Sequence, residues 1–476
     1  MRKWFLKTVS LLCCLSMLTM LGACGNKDKK TESDNVGLID FDDERGDGIQ
    51  SGNDSETSSD ASSNASNASS GTGSTSESEP VNMSGNDPFA NIPKSLRGST
   101  LTFAHFGDEG ASEYKKVIAA FTKKTGIKVN VVAYDQEAYV STVSKQIAAK
   151  SGPDVIICND VFPAALDIAQ PIQNYIDLSD SFWDPQVSEM TTLGNNTYFV
   201  NSMKSVWYNL NMCFYNTQLF SKYGITSPKD YYENGSWSYE NLRVCLEQVA
   251  ATKNTGGYVR PMVMSASMGT PLMSFDTKTR TFVQNLTKAA AAYQYCATNV
   301  QNGLWDPARW FAQFSSGTIG IFFQSAYGCK YNGWFQETDP SIISVVPTPT
   351  SYQGKACKQT SYVRCYGIAK GAKNPQAAAY FLRYFLDYGY YKDAGANVFL
   401  NSAMEKAYFD QMALAKKEGL VYIFDSCAFG YTSAQESDIM EVANMAPAQV
   451  AAKLASYENQ FASAATKMTE KLNSVK

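Results

Sequence analysis

The sequence is poor in the residues that build metal and nucleotide sites. Its 476 residues include a single histidine, His105, and eleven cysteines, none of them in a Cys-x-x-Cys pair. Zinc sites of the usual cysteine and histidine kind therefore have almost no ligands to draw on. Glycine-rich phosphate loops and a Gly-x-Ser-x-Gly nucleophile elbow are also absent from the sequence. We expect neither a metal nor a cofactor.

The net charge is small as well, and it is unevenly distributed. The formal charge is −4, but residues 25–97 hold 14 acidic against 6 basic residues, whereas residues 98–476 hold 31 acidic against 32 basic. The acidity thus belongs to the N-terminal part. The nearly neutral remainder lacks the basic face that a nucleic-acid partner requires, so we expect no such partner.

The N-terminus has the layout of an export signal. Three basic residues precede an apolar stretch at residues 9–21, which is too short to span a bilayer comfortably as a permanent helix. The tetrapeptide Leu21-Gly22-Ala23-Cys24 resembles the lipobox of bacterial lipoproteins. The resemblance implies that a signal peptide, residues 1–23, is removed and that a lipid on Cys24 anchors the protein to the outer face of a bacterial cell membrane. The alternative is a cleaved signal followed by an incidental cysteine.

Export permits disulfides, but the eight cysteines left beyond Cys24 are sparse for a disulfide-stapled scaffold. We expect buried free thiols. A bridge between Cys357 and Cys365 is the alternative if the chain turns between them.

Residues 24–95 are expected to form a disordered stalk. They are dominated by Ser, Asn, Gly, Asp, Glu and Thr, and such a segment cannot bury enough apolar surface to offset the entropy of ordering. A flexible coil of about 60 residues spans on the order of 40 Å. The stalk would therefore hold a folded body away from the membrane, with the lipid as its sole membrane contact.

The remaining chain, residues 96–476, is longer than one hydrophobic core usually serves, so we expect two lobes. Its first part alternates predicted strands and helices, which indicates a parallel sheet with right-handed crossovers. The predicted strands are 99–105, 127–134 and 153–158, and the helices are 113–125 and 136–149. Parallel sheets bind ligands just past the carboxyl ends of their strands, here at His105–Glu109 and Cys158–Asp160.

Further elements indicate that the chain crosses between the lobes more than once. We expect a crossing strand within residues 197–215 and a returning strand within residues 314–327. Strands at 342–347 and 363–369 follow. Predicted helices occupy residues 237–252, 285–299, 307–315, 375–387, 402–418, 438–444 and 448–471.

Several segments, in shared order, resemble extracellular solute-binding protein family 1, the sugar-binding components of ABC importers, which are similar to maltodextrin-binding proteins. They are Gly152-Pro153-Asp154-Val155-Ile156, Phe214-Tyr215-Asn216, Trp237-Ser238-Tyr239-Glu240-Asn241-Leu242, and the run from Ile368 through Asn374-Pro375 to Leu382. The resemblance implies an α/β, two-lobed periplasmic-binding-protein-like fold of type II, each lobe a mainly parallel sheet flanked by helices. Lobe 1 would hold about 98–200 and 325–372, and lobe 2 about 205–320 and 375–476, with a hinge between them.

Two departures from the family pattern leave the ligand open. Residues 198–203 replace a Gly-Leu-Pro segment, and Tyr362-Val363-Arg364-Cys365 replaces a Gly-Gly-Trp-Gly segment near the expected cleft. The ligand is therefore expected to be a mono- or oligosaccharide, with a polyamine, peptide or anion as alternatives.

A sugar needs carboxylates or amides for its hydroxyls and flat aromatic rings for its C–H face. Strand ends, the crossings and a C-terminal loop supply the candidates. These are His105, Phe106, Asp108, Glu109, Asn159, Asp160, Trp207, Tyr208, Tyr327, Trp334, Tyr362, Arg364 and Phe424. The alternative for the aromatic residues is core packing. For His105 it is a structural imidazole, and for Asn159 and Asp160 it is capping of a helix near Pro163.

Catalysis is the less favoured interpretation. Asp108, Glu109, Asp135 and Asp160 could in principle pair for glycoside hydrolysis, but nothing in the sequence places two of them at a productive separation. We expect a monomeric receptor that delivers its sugar to ABC permease subunits, and not an enzyme. A surface lipoprotein that captures glycans without transport is the alternative from another class.

Overall fold

The computed structural model describes residues 83, 87–106, 111–135, 137–306, 314, 316–331, 333–335, 338–424 and 438–475. The expectations for the signal peptide, Cys24 and most of the stalk therefore lie outside the described residues. Within these ranges no helix is both long and apolar enough to cross a membrane.

The described helices follow the apolar periodicity of the sequence. They are α1 (Ala111–Thr125), α2 (Tyr139–Ala148), α3 (Pro185–Thr191), α4 (Thr217–Tyr223), α5 (Pro228–Glu233), α6 (Tyr239–Ala251), α7 (Pro261–Ser267), α8 (Leu286–Gln301), α9 (Pro375–Phe385), α10 (Tyr388–Asp393), α11 (Ser402–Glu418), α12 (Pro447–Ala455) and α13 (Glu458–Ser474). The single helix expected at 448–471 is thus two helices, because the chain turns at residues 456–457.

The described strands are β1 (Thr100–Phe106), β2 (Lys128–Tyr134), β3 (Val155–Asn159), β4 (Ala169–Gln170), β5 (Thr192–Leu193), β6 (Asn196–Thr197), β7 (Phe199–Val200), β8 (Asn209–Asn216), β9 (Thr255–Tyr258), β10 (Met273–Asp276), β11 (Thr281–Gln284), β12 (Ile319–Ser325), β13 (Ile343–Pro347), β14 (Ser351–Tyr352), β15 (Lys355–Ala356), β16 (Thr360–Tyr362), β17 (Arg364–Ala369) and β18 (Val421–Ile423). The longest described strands, of six to eight residues, are β1, β2, β8, β12 and β17, and the others have five residues or fewer.

The first sheet has the strand order β2-β1-β3-β17-β4, with β7 also paired to β17. Strands β1, β2 and β3 are parallel, which confirms the strand and helix alternation predicted for this part of the chain. Phe103 of β1 packs edge-on against Phe381 and Phe385 of α9. Burial of Val117 and Phe121 shows that α1 turns its predicted apolar face to the core.

The second sheet has the order β18-β16-β8-β12-β9, with β13 also paired to β8. Strands β9 and β12 are parallel, as are β16 and β18, while β8 is antiparallel to β12, β13 and β16. Helices accompany both sheets, so the α/β two-lobed class is confirmed. The expected mainly parallel character is wrong in detail, because β17 and β8 run antiparallel to their neighbours.

The crossings differ from those expected. Strand β12, expected to return the chain to the first lobe, is followed by β13, which pairs with β8 of the second sheet. The return occurs instead between β16 and β17. Residues 343–362 thus lie with the second sheet, whereas 375–385 pack on the first, and the remaining lobe boundaries stay predictions.

The segment before the first strand packs on the folded body. Phe89 is 4% exposed and lies edge-on against Tyr384 and Tyr390, both 5.4 Å away by ring centroids. Lys124 of α1 pairs with Asp87 at 3.1 Å. The body therefore begins earlier than the expected boundary at residue 95, because Phe89 supplies apolar surface that the stalk composition otherwise lacks.

The cysteines of the described residues are free and buried, as expected; Cys427 lies outside them. The alternative bridge between Cys357 and Cys365 is not formed. Cys365 lies in β17 directly opposite Cys158 of β3, whereas Cys357 precedes β16, so the chain does not turn to bring the two together.

Candidate functional site

The two sheets meet where the chain passes from β16 to β17. Tyr362 ends β16 and Arg364 begins β17, with Val363 between them. Tyr362 lies opposite Asn209 of β8, and Arg364 lies opposite Asn159 of β3. This junction therefore brings polar and aromatic residues of both sheets together.

The end of β3 contacts the start of β8 through two half-buried amides. Asn209 Nδ2 donates a hydrogen bond of 2.9 Å to Asn159 Oδ1. The next residue, Asp160, is half-buried with φ of 59°, a conformation that Asp adopts more readily than most residues. Its backbone N–H donates to the Val363 carbonyl at 3.0 Å. The helical turn Ala164–Asp167 has Pro163 as its cap residue, so neither Asn159 nor Asp160 caps it.

His105 and Arg364 belong to a buried cluster behind this junction. His105 is fully buried, and its Nε2 lies 2.7 Å from the Tyr114 hydroxyl and 3.4 Å from Arg364 Nη2. A guanidinium can only donate, so this geometry favours Nε2 as the acceptor. Arg364 Nε also donates to the Tyr366 hydroxyl at 3.3 Å. The imidazole is thus held by structural partners.

Trp207 packs against the same guanidinium. The Arg364 carbon Cζ lies 5.5 Å from the Trp207 ring centroid. The indole stacks on Phe385 with an interplanar angle of 4°, and its N–H donates to the Tyr391 hydroxyl at 2.9 Å. Lys330 Nζ, 5.1 Å from the ring, donates to the Val206 carbonyl. At 3% exposure, Trp207 is a core residue in this structure.

Tyr208 is buried beside an ion pair. Its hydroxyl donates to Asp184 Oδ2, and Lys416 Nζ donates to the same oxygen. Burial and the negative charge of Asp184 raise the pKa of Tyr208 well above its usual value, while burial lowers the pKa of Lys416. Asp184 also accepts from the Gln186 backbone N–H and caps α3. These contacts give Tyr208 a structural role.

Tyr362 lies at the second-sheet side of the junction and is 7% exposed. Its hydroxyl is 3.4 Å from Met262 Sδ, and the Arg260 guanidinium carbon lies 5.5 Å from its ring centroid. Arg260 is half-buried and precedes α7 just after the end of β9. A cation over an aromatic face is favourable, so Arg260 joins the candidate site.

Tyr327 and Trp334 form the accessible aromatic pair. Their ring centroids are 5.4 Å apart at an interplanar angle of 81°. Trp334 is 41% exposed, and Tyr327 is half-buried. Ser325 lies opposite Asn211 in the β8–β12 pairing, so the chain that continues to Tyr327 runs toward the level of Asn209. Trp334 therefore presents its ring to solvent, with the half-buried Tyr327 beside it.

Phe424 is 4% exposed and lies in an aromatic cluster with Phe162, Phe275 and Phe282. Its centroid distances to them are 6.3, 5.9 and 5.4 Å. The side chain of Phe106 and all of Asp108 and Glu109 lie outside the described residues.

The structure thus divides the sequence-predicted residues into two groups. Asn159, Asp160, Tyr327 and Trp334 are accessible, whereas His105, Trp207, Tyr208, Tyr362, Arg364 and Phe424 are buried. Sequence analysis missed Asn209 and Arg260. The signal for Arg260 was its place after a short strand and before a helix that begins at Pro261, the same strand-end rule that pointed to Asn159.

The accessible group offers an amide, a carboxylate and aromatic faces, which suit a neutral hydroxylated ligand. In the part of the chain that the structure describes, no group of three or more His, Cys, Asp and Glu side chains is placed to hold a metal ion.

Comparisons with known proteins agree with this architecture. Residues 106–392 match the family described as bacterial extracellular solute-binding protein. A comparison with curated protein sequences finds no match.

Three solved structures share the fold. The cyclic α-maltosyl-1,6-maltose binding protein from Arthrobacter globiformis gives a TM-score of 0.57 at 14% identity, covering 78% of this chain and 98% of that chain. The GacH receptor of Streptomyces glaucescens, solved unliganded and with acarbose, gives 0.54 at 19%, covering 79% and 99%. The ABC substrate-binding protein from Listeria monocytogenes in complex with cycloalternan gives 0.52 at 15%, also covering 79% and 99%.

Proposed function

Because the chain belongs to the family of bacterial extracellular solute-binding proteins, we propose that it captures a sugar or oligosaccharide between its two lobes and delivers it to an ABC permease. The observation that carries this proposal is the hydrogen bond between Asn159 and Asn209, which joins the end of β3 in the first sheet to the start of β8 in the second. Accessible amides at such a junction can hold sugar hydroxyls from both lobes at once.

The aromatic pair Tyr327 and Trp334 supports a carbohydrate ligand, since exposed rings provide the flat apolar faces that pack on sugar C–H groups. The similar structures were solved with cycloalternan and with acarbose, which favours the same ligand class here. Arg364 was the reason to consider a charged solute. Its contacts with His105 and Trp207 give it a structural task, so the non-sugar alternative has less support.

Ligand capture would proceed by hinge closure, the usual motion of periplasmic binding proteins. Residues 201–208 and Val363 connect the two sheets and would form the hinge. Closure would desolvate and strengthen the ligand hydrogen bonds, so the loaded, closed form would be selected by the permease. The ligand would leave chemically unchanged.

The ligand class is tested by calorimetry with the chain lacking residues 1–24 against mono- and oligosaccharides, polyamines, peptides and anions. We expect saturable binding of at least one saccharide and recovery of that sugar intact. A response to a charged solute with none to any sugar would contradict the carbohydrate proposal, and a hydrolysed product would contradict the absence of catalysis.

The anchoring proposal concerns Cys24. If a lipid on this residue holds the protein on the cell, Cys24→Ala should release the chain into the medium while leaving ligand binding unchanged. Retention of the variant on the membrane would mean that another contact anchors it.

Transport and oligomeric state are tested separately. Co-purification of the native protein with two permease subunits would favour transport over surface capture alone. Sedimentation at monomer mass would support the expected monomer.

A further inference from the structure

A cavity of about 300 Å³ lies between α3, the β10–β11 hairpin and β18. Its wall includes Gln186 of α3, Phe275 and Thr277 of the hairpin, and Tyr422 and Phe424 at β18. Of the residues proposed above to contact the ligand, only Phe424 lines it. The ring of Phe424 packs on Phe162, and Asn159 and Asp160 at the end of β3 do not line the cavity.

Hydrogen bonds link α3 to the β10–β11 hairpin and to Leu420, the residue before β18. Arg280 of the hairpin donates to the Met190 and Glu189 carbonyls at 3.1 and 3.0 Å. Thr277 Oγ1 donates to Glu189 Oε1 at 3.2 Å, and Gln186 Nε2 donates to the Leu420 carbonyl at 2.7 Å. Hydrogen bonds therefore join the elements on both sides of the cavity.

The lining combines an aromatic ring with directed polar groups. Phe275 is half-buried and lines the cavity. It stacks on Phe282 with a centroid distance of 4.7 Å, and Phe282 is buried and does not line the cavity. Glu189, Gln186 and Thr277 add a carboxylate, an amide and a hydroxyl. Tyr422 is 8% exposed, and its hydroxyl has no hydrogen-bond partner among the described residues, although buried polar groups are normally paired.

We propose that this cavity is an accessory binding site for a single sugar ring, separate from the ligand site at the junction of the sheets. Its volume is at the lower limit of small-molecule pockets and suits one ring, not a chain of several. Phe275 stacks on Phe282 and has the Arg280 guanidinium carbon 5.9 Å from its ring centroid. The part of its ring that faces the cavity would contact C–H groups of the sugar, and the polar groups would hold its hydroxyls. The proposal goes beyond the proposed function, because occupancy here requires neither transport nor the junction site.

The test is calorimetry of the full chain, solubilised in a detergent without a sugar headgroup, titrated with D-glucose, D-galactose and D-mannose. We expect weak binding of at least one, and we expect it to persist when the junction site is saturated with an oligosaccharide. Phe275→Leu should weaken this binding by about fivefold, and Thr277→Val should weaken it as well. Phe121→Leu, which alters a buried phenylalanine of α1 that does not line the cavity, is the matched control and should leave it unchanged.

Melting temperatures of the variants show that each one is folded. No monosaccharide binding, or equal weakening by Phe275→Leu and Phe121→Leu in folded proteins, would overturn the proposal. If no oligosaccharide binds but the Phe275-dependent response remains, the proposed function fails while the accessory site stands. If an oligosaccharide binds and abolishes the monosaccharide response, there is one site and the accessory site is refuted.

Discussion

Arg364 lies directly opposite Asn159 in the antiparallel pairing of β17 with β3. Asn159 in turn accepts a hydrogen bond from Asn209, and Asn209 lies opposite Tyr362, two residues before Arg364. The four residues therefore close a ring of contacts across the junction of the two sheets. A ligand that replaces the hydrogen bond between Asn209 and Asn159 by bonding to both amides therefore contacts both sheets at once.

Substitution of Asn159 tests this junction. Asn159→Ala should lower the affinity for the preferred saccharide by about tenfold, the loss expected for one or two hydrogen bonds to a ligand hydroxyl. The melting temperature should change little, because the side chain is half-buried. Calorimetry measures the affinity. Asn254→Ala, which removes a half-buried amide bonded to Thr252, is the control, and equal affinities for the two variants would remove Asn159 from the site.

The two tryptophans should respond in opposite ways. Trp334→Ala should weaken sugar binding about tenfold and cost less than about 1 kcal/mol of stability, because the ring is 41% exposed. Trp207→Ala should lower the free energy of unfolding by about 3–5 kcal/mol, because the buried ring stacks on Phe385. Urea unfolding and calorimetry separate the effects. A large stability loss with unchanged binding for Trp334→Ala would make that residue part of the core.

The buried ion pair gives a prediction with a control on the same helix. Lys416→Met should destabilise the protein by about 3 kcal/mol or more, since it leaves the carboxylate of Asp184 fully buried without its cation. Lys406→Met removes an exposed pair with Asp410 from α11 and should change stability by less than about 1 kcal/mol. Similar urea midpoints for both variants would mean that Asp184 is satisfied by Tyr208 and the Gln186 N–H alone.

Local patterns predicted the longer described helices, whereas α3, α4, α5, α7 and α10, of six or seven residues each, were missed. Residues 402–418 were predicted to be helical and are the bounds of α11, and Ser238, within the predicted helix 237–252, caps α6. Such features depend on residues close in sequence. Strand pairing does not: β13 pairs with β8, more than a hundred residues earlier, and no periodicity reports that partner. The predicted return of the chain within residues 314–327 was wrong for this reason.

The same limit applies to the candidate site. A strand end pointed to Asn159, and a departure from the family pattern pointed to Arg364, but their neighbours depend on the register with β8 and β17. The burial of Trp207 depends on Phe385 and Tyr391, which approach from helices far along the chain. The aromatic residues of the sequence suggested rings that could pack on a sugar. Which of these rings are accessible and which are buried depends on tertiary packing, which the sequence pattern does not report. The ligand roles of all these residues stay predictions.

Tyr422 offers a prediction for alkaline pH. Burial and the nearby charge of Asp184 raise the pKa of Tyr422 well above its usual value of about 10. Below pH 10 the hydroxyl is protonated in both the folded and the unfolded state, so stability does not depend on its titration. Above pH 10 the unfolded chain loses this proton while the folded protein keeps it. Each such tyrosine therefore lowers stability by about 1.4 kcal/mol per pH unit.

Tyr422→Phe should remove the contribution of one titrating hydroxyl to the pH dependence of the free energy of unfolding. The hydroxyl has no hydrogen-bond partner among the described residues, so the substitution should not lower stability at pH 8. Urea midpoints between pH 8 and 11 should fall less steeply with pH for the variant than for the native protein. The difference should correspond to the titration of one tyrosine, about 1.4 kcal/mol per pH unit above pH 10. Tyr223→Phe removes an exposed hydroxyl and should keep the native slope. If both variants show that slope, Tyr422 ionises in the folded protein and its side chain is open to water.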